Sequence, residues 1–440
     1  MRIDIGDKIK FSETIKELFD LSVPASQING ITIDSRNVLD GDIFIAMKGN
    51  SVDSHDFINS KLMSQASLII NEKQATSNLL MVESSKNTIG EIARVYRKKM
   101  NCKVVGITGS NGKTTTKEIL FHALKDECSV SMTPGNYNST IGMPMSFLSI
   151  SRSDDVFIAE MGVNSKGEMK YLSQIARPNL ALITNISEAH IQNFNSLDEI
   201  YNEKVELLKS LDDGGMAFLN MEDTFISKTK LSKDVKVIQY GFNKRFDYFG
   251  EIDETDQQSF FINGHKIKHK CLSSNLIKNL LAAFSIASEL GIDVPTLNKS
   301  ISSFDLPIGR GKVIKMNGYV VIDDTYNSNF TSTVAGIASL QDLKYSGMRK
   351  IIILGDMLEL GENTKFFHEN LLDHIDQIDQ CIVLTYGNLM KFLYIKSQSL
   401  PYLEIEHFED QNLLIERLSD IIAKKDVIYI KGSRGMRMEN

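Results

Sequence analysis

At 440 residues the chain has the length of about three domains, and 42% apolar with 24% charged residues is ordinary globular composition with material for several cores. Against 56 Asp plus Glu there are 49 Lys plus Arg, a net charge of −7 with no sustained basic block. That excludes a general nucleic-acid binder, because phosphate-backbone affinity comes from clustered cations.

No apolar run reaches the roughly 18 residues needed to span a bilayer. The N-terminal segment is broken by charge every few residues, unlike a signal peptide. Four scattered cysteines (Cys102, Cys128, Cys271, Cys381) form neither a CxxC pair nor a disulfide framework. A reduced, cytoplasmic protein is the expectation.

Residues 1–83 read as short strands and loops, with strands at 31–34, 42–47, 67–71 and 79–83. A helix over 88–100, apolar at Ile89, Ile92, Ala93, Val95 and Tyr96, hands over to a second domain. From Cys102 onward, apolar runs of four to six residues alternate with longer helical segments, the pattern of βαβ units and a mostly parallel sheet. The strands expected there are 104–108, 156–160, 180–185 and 216–220, and a helix over 279–290 is closed by Gly291. After Arg310 the alternation repeats, with strands at 319–323, 351–354, 381–384 and 427–430. This predicts a second doubly wound α/β unit with ligands at the carboxyl ends of its strands.

The polar motifs begin where these strands end. Gly106-Ile-Thr-Gly-Ser-Asn-Gly-Lys-Thr-Thr115 follows a strand and opens a helix. Its glycines let backbone N–H groups turn onto phosphate oxygens, and the helix N-terminus favours the anion. Lys113 reaches toward the outer phosphates and the Thr114 hydroxyl toward Mg²⁺, with Gly109, Ser110, Asn111, Gly112 and Thr115 completing the cradle. The general P-loop pattern wants glycine where Ile107 stands. Glu160 ends the strand 156–160, where a metal-holding acid belongs beside such a loop. His190 follows the strand 180–185; a lone histidine is usually structural or merely exposed. Lys204 on a predicted helix reads as a solvated lysine. The loop 135–144 offers Asn136 and Asn138 to a polar ligand. In the last third, segments 323–328, 355–361 and 431–434 should converge on one rim, and ordinary turns do not account for Tyr326, Lys431 and Arg434 together. Arg310 adds a cation at the same junction.

Taken together, these motifs resemble the Mur ligase family, most closely its MurF-type subgroup. The match covers nearly the whole chain, and residues 108–114 match the family's own ATP loop, which is shorter than the general P-loop. Asp34-Ser35-Arg36 and residues 41–49 resemble its uridine-nucleotide module, and Asn279 its adenine-contacting asparagine. The chain departs from the family pattern at Ser54 in Asp53-Ser54-His55, at Asn275 where a His is usual, and at Phe330 where a Pro is usual.

The resemblance implies an α/β fold of three domains. These are a small mixed N-terminal domain (1–83) holding the uridine diphosphate end, a central P-loop-like parallel-sheet ATPase domain (84–309), and a C-terminal Rossmann-like domain (310–440) binding a dipeptide and part of ATP. It implies ATP-dependent joining of D-alanyl-D-alanine to UDP-N-acetylmuramoyl-tripeptide through an acyl phosphate, with ATP and Mg²⁺. Lys113, Glu160, His190 and Lys204 are then catalytic; Thr114, Glu160, His190 and a carbamylated Lys204 hold metal. Asn279, Arg310 and Asp324 join the loop on the nucleotide, and Ser35, Arg36, Asn136, Asn138, Tyr326, Asn327, Lys431 and Arg434 bind substrate. A monomer hinged near 306–311 is expected. Rivals are the ligase that adds the third residue, a folylpolyglutamate synthase, which a uridine-nucleotide module argues against, and a P-loop small-molecule kinase.

Overall fold

The computed structural model describes residues 1–440 apart from 50–51, 77, 233, 254, 257, 270–272 and 342–344, so Cys271 lies outside the described residues. Three sheets follow one another along the chain. The first has the strands Arg2–Asp4, Gly30–Thr32, Ile43–Ile45, Leu68–Asn71 and Leu79–Met81 side by side; its first pairing is antiparallel and the rest parallel. Two helices lie where strands and loops were expected, Lys8–Phe19 and Ser60–Gln65. Only Phe11, Thr14 and Ile15 of the first are buried, too few for the apolar period to stand out, although Asp7 caps it by accepting from the amides of Ile9 and Lys10.

The second sheet has nine strands. At its centre Lys103–Thr108 lies between Val156–Glu160 on one side and Leu180–Ile183 on the other, all parallel. The Val/Ile content of these runs fits the burial of both sheet faces, where Val104, Val105, Ile107 and Ile158 are fully enclosed. Register then sets the chemistry. Ile107 pairs with Glu160 and Thr108 with Ile183, so the glycine loop, the acid and the segment leading to His190 leave the sheet at one edge. Parallel pairing runs on through Met216–Asn220 and Lys236–Gly241 to Tyr248–Ile252. The strands Ser259–Ile262 and His265–Lys268 extend the sheet antiparallel at one end of an otherwise parallel order, the mostly parallel sheet expected.

The third sheet orders Lys312–Lys315, Val320–Asp324, Val427–Lys431, Lys350–Gly355, Cys381–Tyr386 and Glu404–Phe408, parallel except for its first pairing. Because the last strand in sequence inserts between the second and third, Asp324 lies opposite Lys431.

Helix starts obey capping more closely than periodicity. The helix expected from 88 begins at Ser85 behind a Ser84 cap, and the one expected from 279 begins at Ser274 behind Ser273. Phe330 opens a helix to Ala338 behind an Asn329 and Ser332 capping box, so a proline is not needed there. Ile3, Phe11 and Ile31 of the first unit share one core with Phe147 and Phe157 of the second. The buried Tyr96 hydroxyl bolts that junction, accepting from Asp7 N at 2.8 Å and donating to Ile150 O at 2.6 Å. Among the described residues, no helix is long and apolar enough to cross a membrane.

Candidate active site

A cleft of about 750 Å³ opens between the carboxyl ends of the second and third sheets, walled by Lys113, Thr114, Glu160, His190, Arg310 and Lys431 among others. The glycine loop forms one wall. Gly109 has φ +144°, and a Cβ there would stand 1.9 Å from Thr184 Oγ1; Gly112 has φ +80°, with Asn279 Oδ1 2.5 Å from a Cβ. Only glycine lets the backbone pass so close. Helix Lys113–Leu124 starts immediately after, and no side chain caps it among the described residues, so its N-terminus is open to an anion in the cleft. Lys113 folds back, donating from Nζ to Gly109 O at 2.7 Å and Ser110 O at 3.3 Å. Burial lowers its pKa below the usual lysine value, against the opposing pull of Glu160.

Glu160 is 1% exposed. Its Oε1 accepts from Thr114 Oγ1 at 3.0 Å and from Asn138 Nδ2 at 2.8 Å. Its Oε2 is buried with no hydrogen-bond partner among the described residues, and Lys117 Nζ lies 3.4 Å away. A threonine hydroxyl beside a carboxylate with an unused oxygen is a hard-oxygen donor set that fits Mg²⁺, an ion that takes one or two protein ligands and completes its shell with phosphate and water. No cluster of three or more His, Cys, Asp or Glu suited to hold a metal exists among the described residues. Asn138, expected on substrate, spends its amide orienting this acid.

His190 lines the cleft in left-handed backbone, φ +59°. Its Nδ1 pairs with Glu359 Oε2 at 2.5 Å across the cleft, which holds the Glu359 carboxyl below its ordinary range. Lys204 overturns the solvated-lysine reading: on helix Leu197–Lys209 it is 2% exposed and does not line the cleft. Burial first, then the charge of Lys113, push its amine down to about 7.

The third unit supplies the opposite wall. Arg310 donates from Nη2 to Thr114 Oγ1 at 3.0 Å, and its guanidinium lies 3.5 Å from the Tyr326 ring centroid. Asp324 Oδ2 accepts from Lys431 Nζ at 2.6 Å and Tyr429 Oη at 3.0 Å, while Lys431 also donates to Asn327 O at 3.0 Å. Arg434 sits 5.8 Å from the Tyr326 ring, but its guanidinium pairs with Glu439 outside the cleft. Asn136, Asn279, Tyr326 and Asn327 line the cleft with Ser110, Asn111, Gly112 and Thr115. Ser35 and Arg36 stand apart on the first sheet's rim, where Arg36 holds the Asp34 carboxyl at about 2.

Four features escaped the sequence reading. Asn185 fixes the glycine loop by accepting from Ser110 N at 2.9 Å and Asn111 N at 3.0 Å. Asn111 Oδ1 accepts from Asn329 Nδ2 at 2.9 Å, and Glu188 accepts from the amide of Thr331 and, at 2.6 Å, from its hydroxyl. The capping signal at Asn329 is visible in the sequence, but its partners across the cleft are not. Lys117 carries no sequence signal at all.

Family models match along most of the chain: the Mur ligase family, catalytic domain, at residues 27–105, the Mur ligase middle domain at 107–287, and the Mur ligase, glutamate ligase domain, at 309–434. The UDP-N-acetylmuramoyl-tripeptide–D-alanyl-D-alanine ligase of Bacillus subtilis is 30% identical, over 94% of this chain and 92% of the relative. That of Haemophilus influenzae is 32% identical, over 94% and 93%. The crystal structure of the MurF ligase from Thermotoga maritima in complex with ADP superposes with a TM-score of 0.83 at 28% identity, over 93% of this chain and 95% of that one. With three family models matching in chain order and relatives 30% and 32% identical over 94% of its length, the chain belongs to the Mur ligase family, to its MurF type.

Proposed function

We propose that this chain is the ATP-dependent ligase that joins D-alanyl-D-alanine to UDP-N-acetylmuramoyl-tripeptide in the cytoplasm, giving the UDP-pentapeptide precursor of peptidoglycan, ADP and phosphate. The observation that carries this reading is one cleft with the glycine loop and Glu160 on one wall and Tyr326, Asn327 and Lys431 on the other. Residues 84–309 hold ATP, residues 310–440 the dipeptide and part of the nucleotide, and residues 1–83, with Ser35 and Arg36, the uridine diphosphate end.

A carboxylate is a poor acyl donor because its oxygen leaves badly. Its attack on the γ-phosphorus of ATP, with ADP departing, turns that oxygen into part of a phosphate. The dipeptide amine then adds to the acyl carbon, and phosphate leaves from the tetrahedral intermediate as the nitrogen loses a proton. Two anions must meet in the first step, so cations have to offset their repulsion. Lys113 unfolds from Gly109 O onto the outer phosphates, and Arg310, already at Thr114, approaches the same group from the third domain. Mg²⁺ held by Thr114 and Glu160, with a second ion near His190, supplies further charge neutralisation when bound. Asn279, against Gly112, faces the nucleoside end. Lys431, steadied by Asp324, is the cation for the dipeptide carboxylate.

Lys204 is set up for carbamylation. An amine titrating at about 7 is largely neutral at cellular pH and adds to CO₂ with loss of a proton. The resulting carbamate would convert a cation that feels the charge of Lys113 into an acid.

The test is phosphate release with ATP and each acceptor alone and together. We expect release only when UDP-tripeptide and D-alanyl-D-alanine are both present, and its loss by several orders of magnitude in folded Lys113→Ala. Release that ignores the dipeptide would make the protein a kinase or simple ATPase and end this reading.

A further inference from the structure

We propose that Lys117 is a positioning residue for Glu160, holding the acid in the posture from which it takes the metal; this rests on the reading of Glu160 as a metal ligand. Lys117 lies on the first turns of helix Lys113–Leu124, one turn beyond Lys113, and its side chain is completely enclosed. Burying an ammonium is costly unless its protons find partners, and an apolar side chain would fill the same space without that cost. Apart from the neighbouring Glu118, the partners found here lead to Glu160.

Nζ donates to Thr133 O and Gly135 O, each at 2.9 Å, and lies 3.4 Å from Glu160 Oε2 and 3.4 Å from the half-buried Glu118. Thr133 Oγ1 in turn accepts from Glu160 N at 2.7 Å. Gly135 opens the loop whose Asn138 holds Glu160 Oε1. One ammonium therefore steadies the acid's backbone through Thr133, its inner oxygen by charge, and its outer oxygen through the loop that carries Asn138. With Oε2 held inward, Oε1 stays on Thr114.

Two effects of this cation oppose each other. Orientation of the acid and compensation of its buried charge favour metal binding, whereas simple repulsion between ammonium and metal disfavours it. Orientation dominates here, because Nζ sits behind the acid and two carbonyl dipoles point their negative ends at it.

The experiment titrates Mn²⁺ into the full chain with saturating ADP and follows free Mn²⁺ by electron paramagnetic resonance, a measurement that needs no turnover. The variants are Lys117→Met, Lys117→Gln and Glu160→Gln, alone and with Glu160→Gln combined with each Lys117 change. We expect either neutral Lys117 variant to weaken Mn²⁺ binding about tenfold to a hundredfold, the scale of one charge-assisted hydrogen bond, with ADP affinity in the absence of metal unchanged. In the Glu160→Gln background the Lys117 change should add nothing, because the two act as one unit.

Unchanged or tighter Mn²⁺ binding in the folded Lys117 variants overturns the proposal, as does a full additive loss in the double variants. If neither neutral variant folds, Lys117 is a structural residue and the proposal falls. If Glu160→Gln itself leaves Mn²⁺ binding untouched, the failure lies instead with Glu160 as a metal ligand.

Discussion

Glu188→Ala tests how far one of the contacts that join the two walls of the cleft holds it shut. Glu188 is 6% exposed on the central unit, and it accepts both from the amide of Thr331 and from its hydroxyl. Thr331 is the second residue of helix Phe330–Ala338, so the carboxylate also sits at the positive end of that helix. Each charge-assisted bond is worth about 1.5–3 kcal/mol. Both converge on one group, and Thr331 regains water when the units part, so a net loss of about 2 kcal/mol is the reasoned figure. That shifts the closed-to-open ratio about thirtyfold. Reacting atoms must come within about 3.5 Å for bound reactants to gain their full effective concentration. kcat/KM for D-alanyl-D-alanine should therefore fall by about one order of magnitude or more, with ADP binding to the glycine loop unchanged. The assays are steady-state phosphate release and small-angle scattering, which should show a larger radius of gyration in the variant. A kcat/KM within twofold of the parent, together with an unchanged scattering profile, would refute the role of this contact.

Other consequences follow from buried groups. Lys204 titrates at about 7 in the folded chain against an ordinary 10.5, so between these values the unfolded chain holds a proton that the folded one has released. Stability should rise with pH across that window by up to about 1.4 kcal/mol per pH unit and stay flat below 7. Urea unfolding in CO₂-free buffer should show this component vanish in Lys204→Met, and an identical slope in both proteins would refute the depressed amine; activity of Lys204→Ala should return with added acetate. Tyr96→Phe leaves Asp7 N and Ile150 O without their partner inside the junction of the first two units. It should cost about 1–3 kcal/mol in denaturant unfolding, and an unchanged midpoint would show that the hydroxyl is dispensable.

The sequence made the strands beside the chemistry legible because parallel strands buried on both faces read as continuous apolar runs; Val156–Glu160 and Met216–Asn220 fall where expected. Helix Lys8–Phe19 was hidden because few of its residues are buried, and the strands Ser259–Ile262 and His265–Lys268 because four-residue segments are too short to show a period. At the site, the glycine loop and Glu160 could be placed from strand ends alone, because register along one sheet edge fixes both. What could not be placed was which polar group meets which across the cleft. His190 faces Glu359 and Glu188 faces Thr331. These pairs are set by the packing of separate units, and no local pattern encodes them.

Lys113 and Lys117 show why the chain's overall acidity says little about its site. Four residues apart on one helix, they are like charges at neighbouring positions, an arrangement that by itself disfavours the helix by a few tenths of a kcal/mol. Burying both adds desolvation. Neither cost makes sense for stability, and an apolar pair would pack the same turn. Both are offset by one acid: Glu160 acts on Lys113 by its charge and meets Lys117 at 3.4 Å. The acid that fits a metal thus already stands between two cations in a chain of net charge −7. In the proposed reaction, Lys113 leaves Gly109 O for the entering phosphate while Lys117 stays behind the acid. That proposed division of labour, one mobile cation and one anchored, would account for two lysines on a single helix turn.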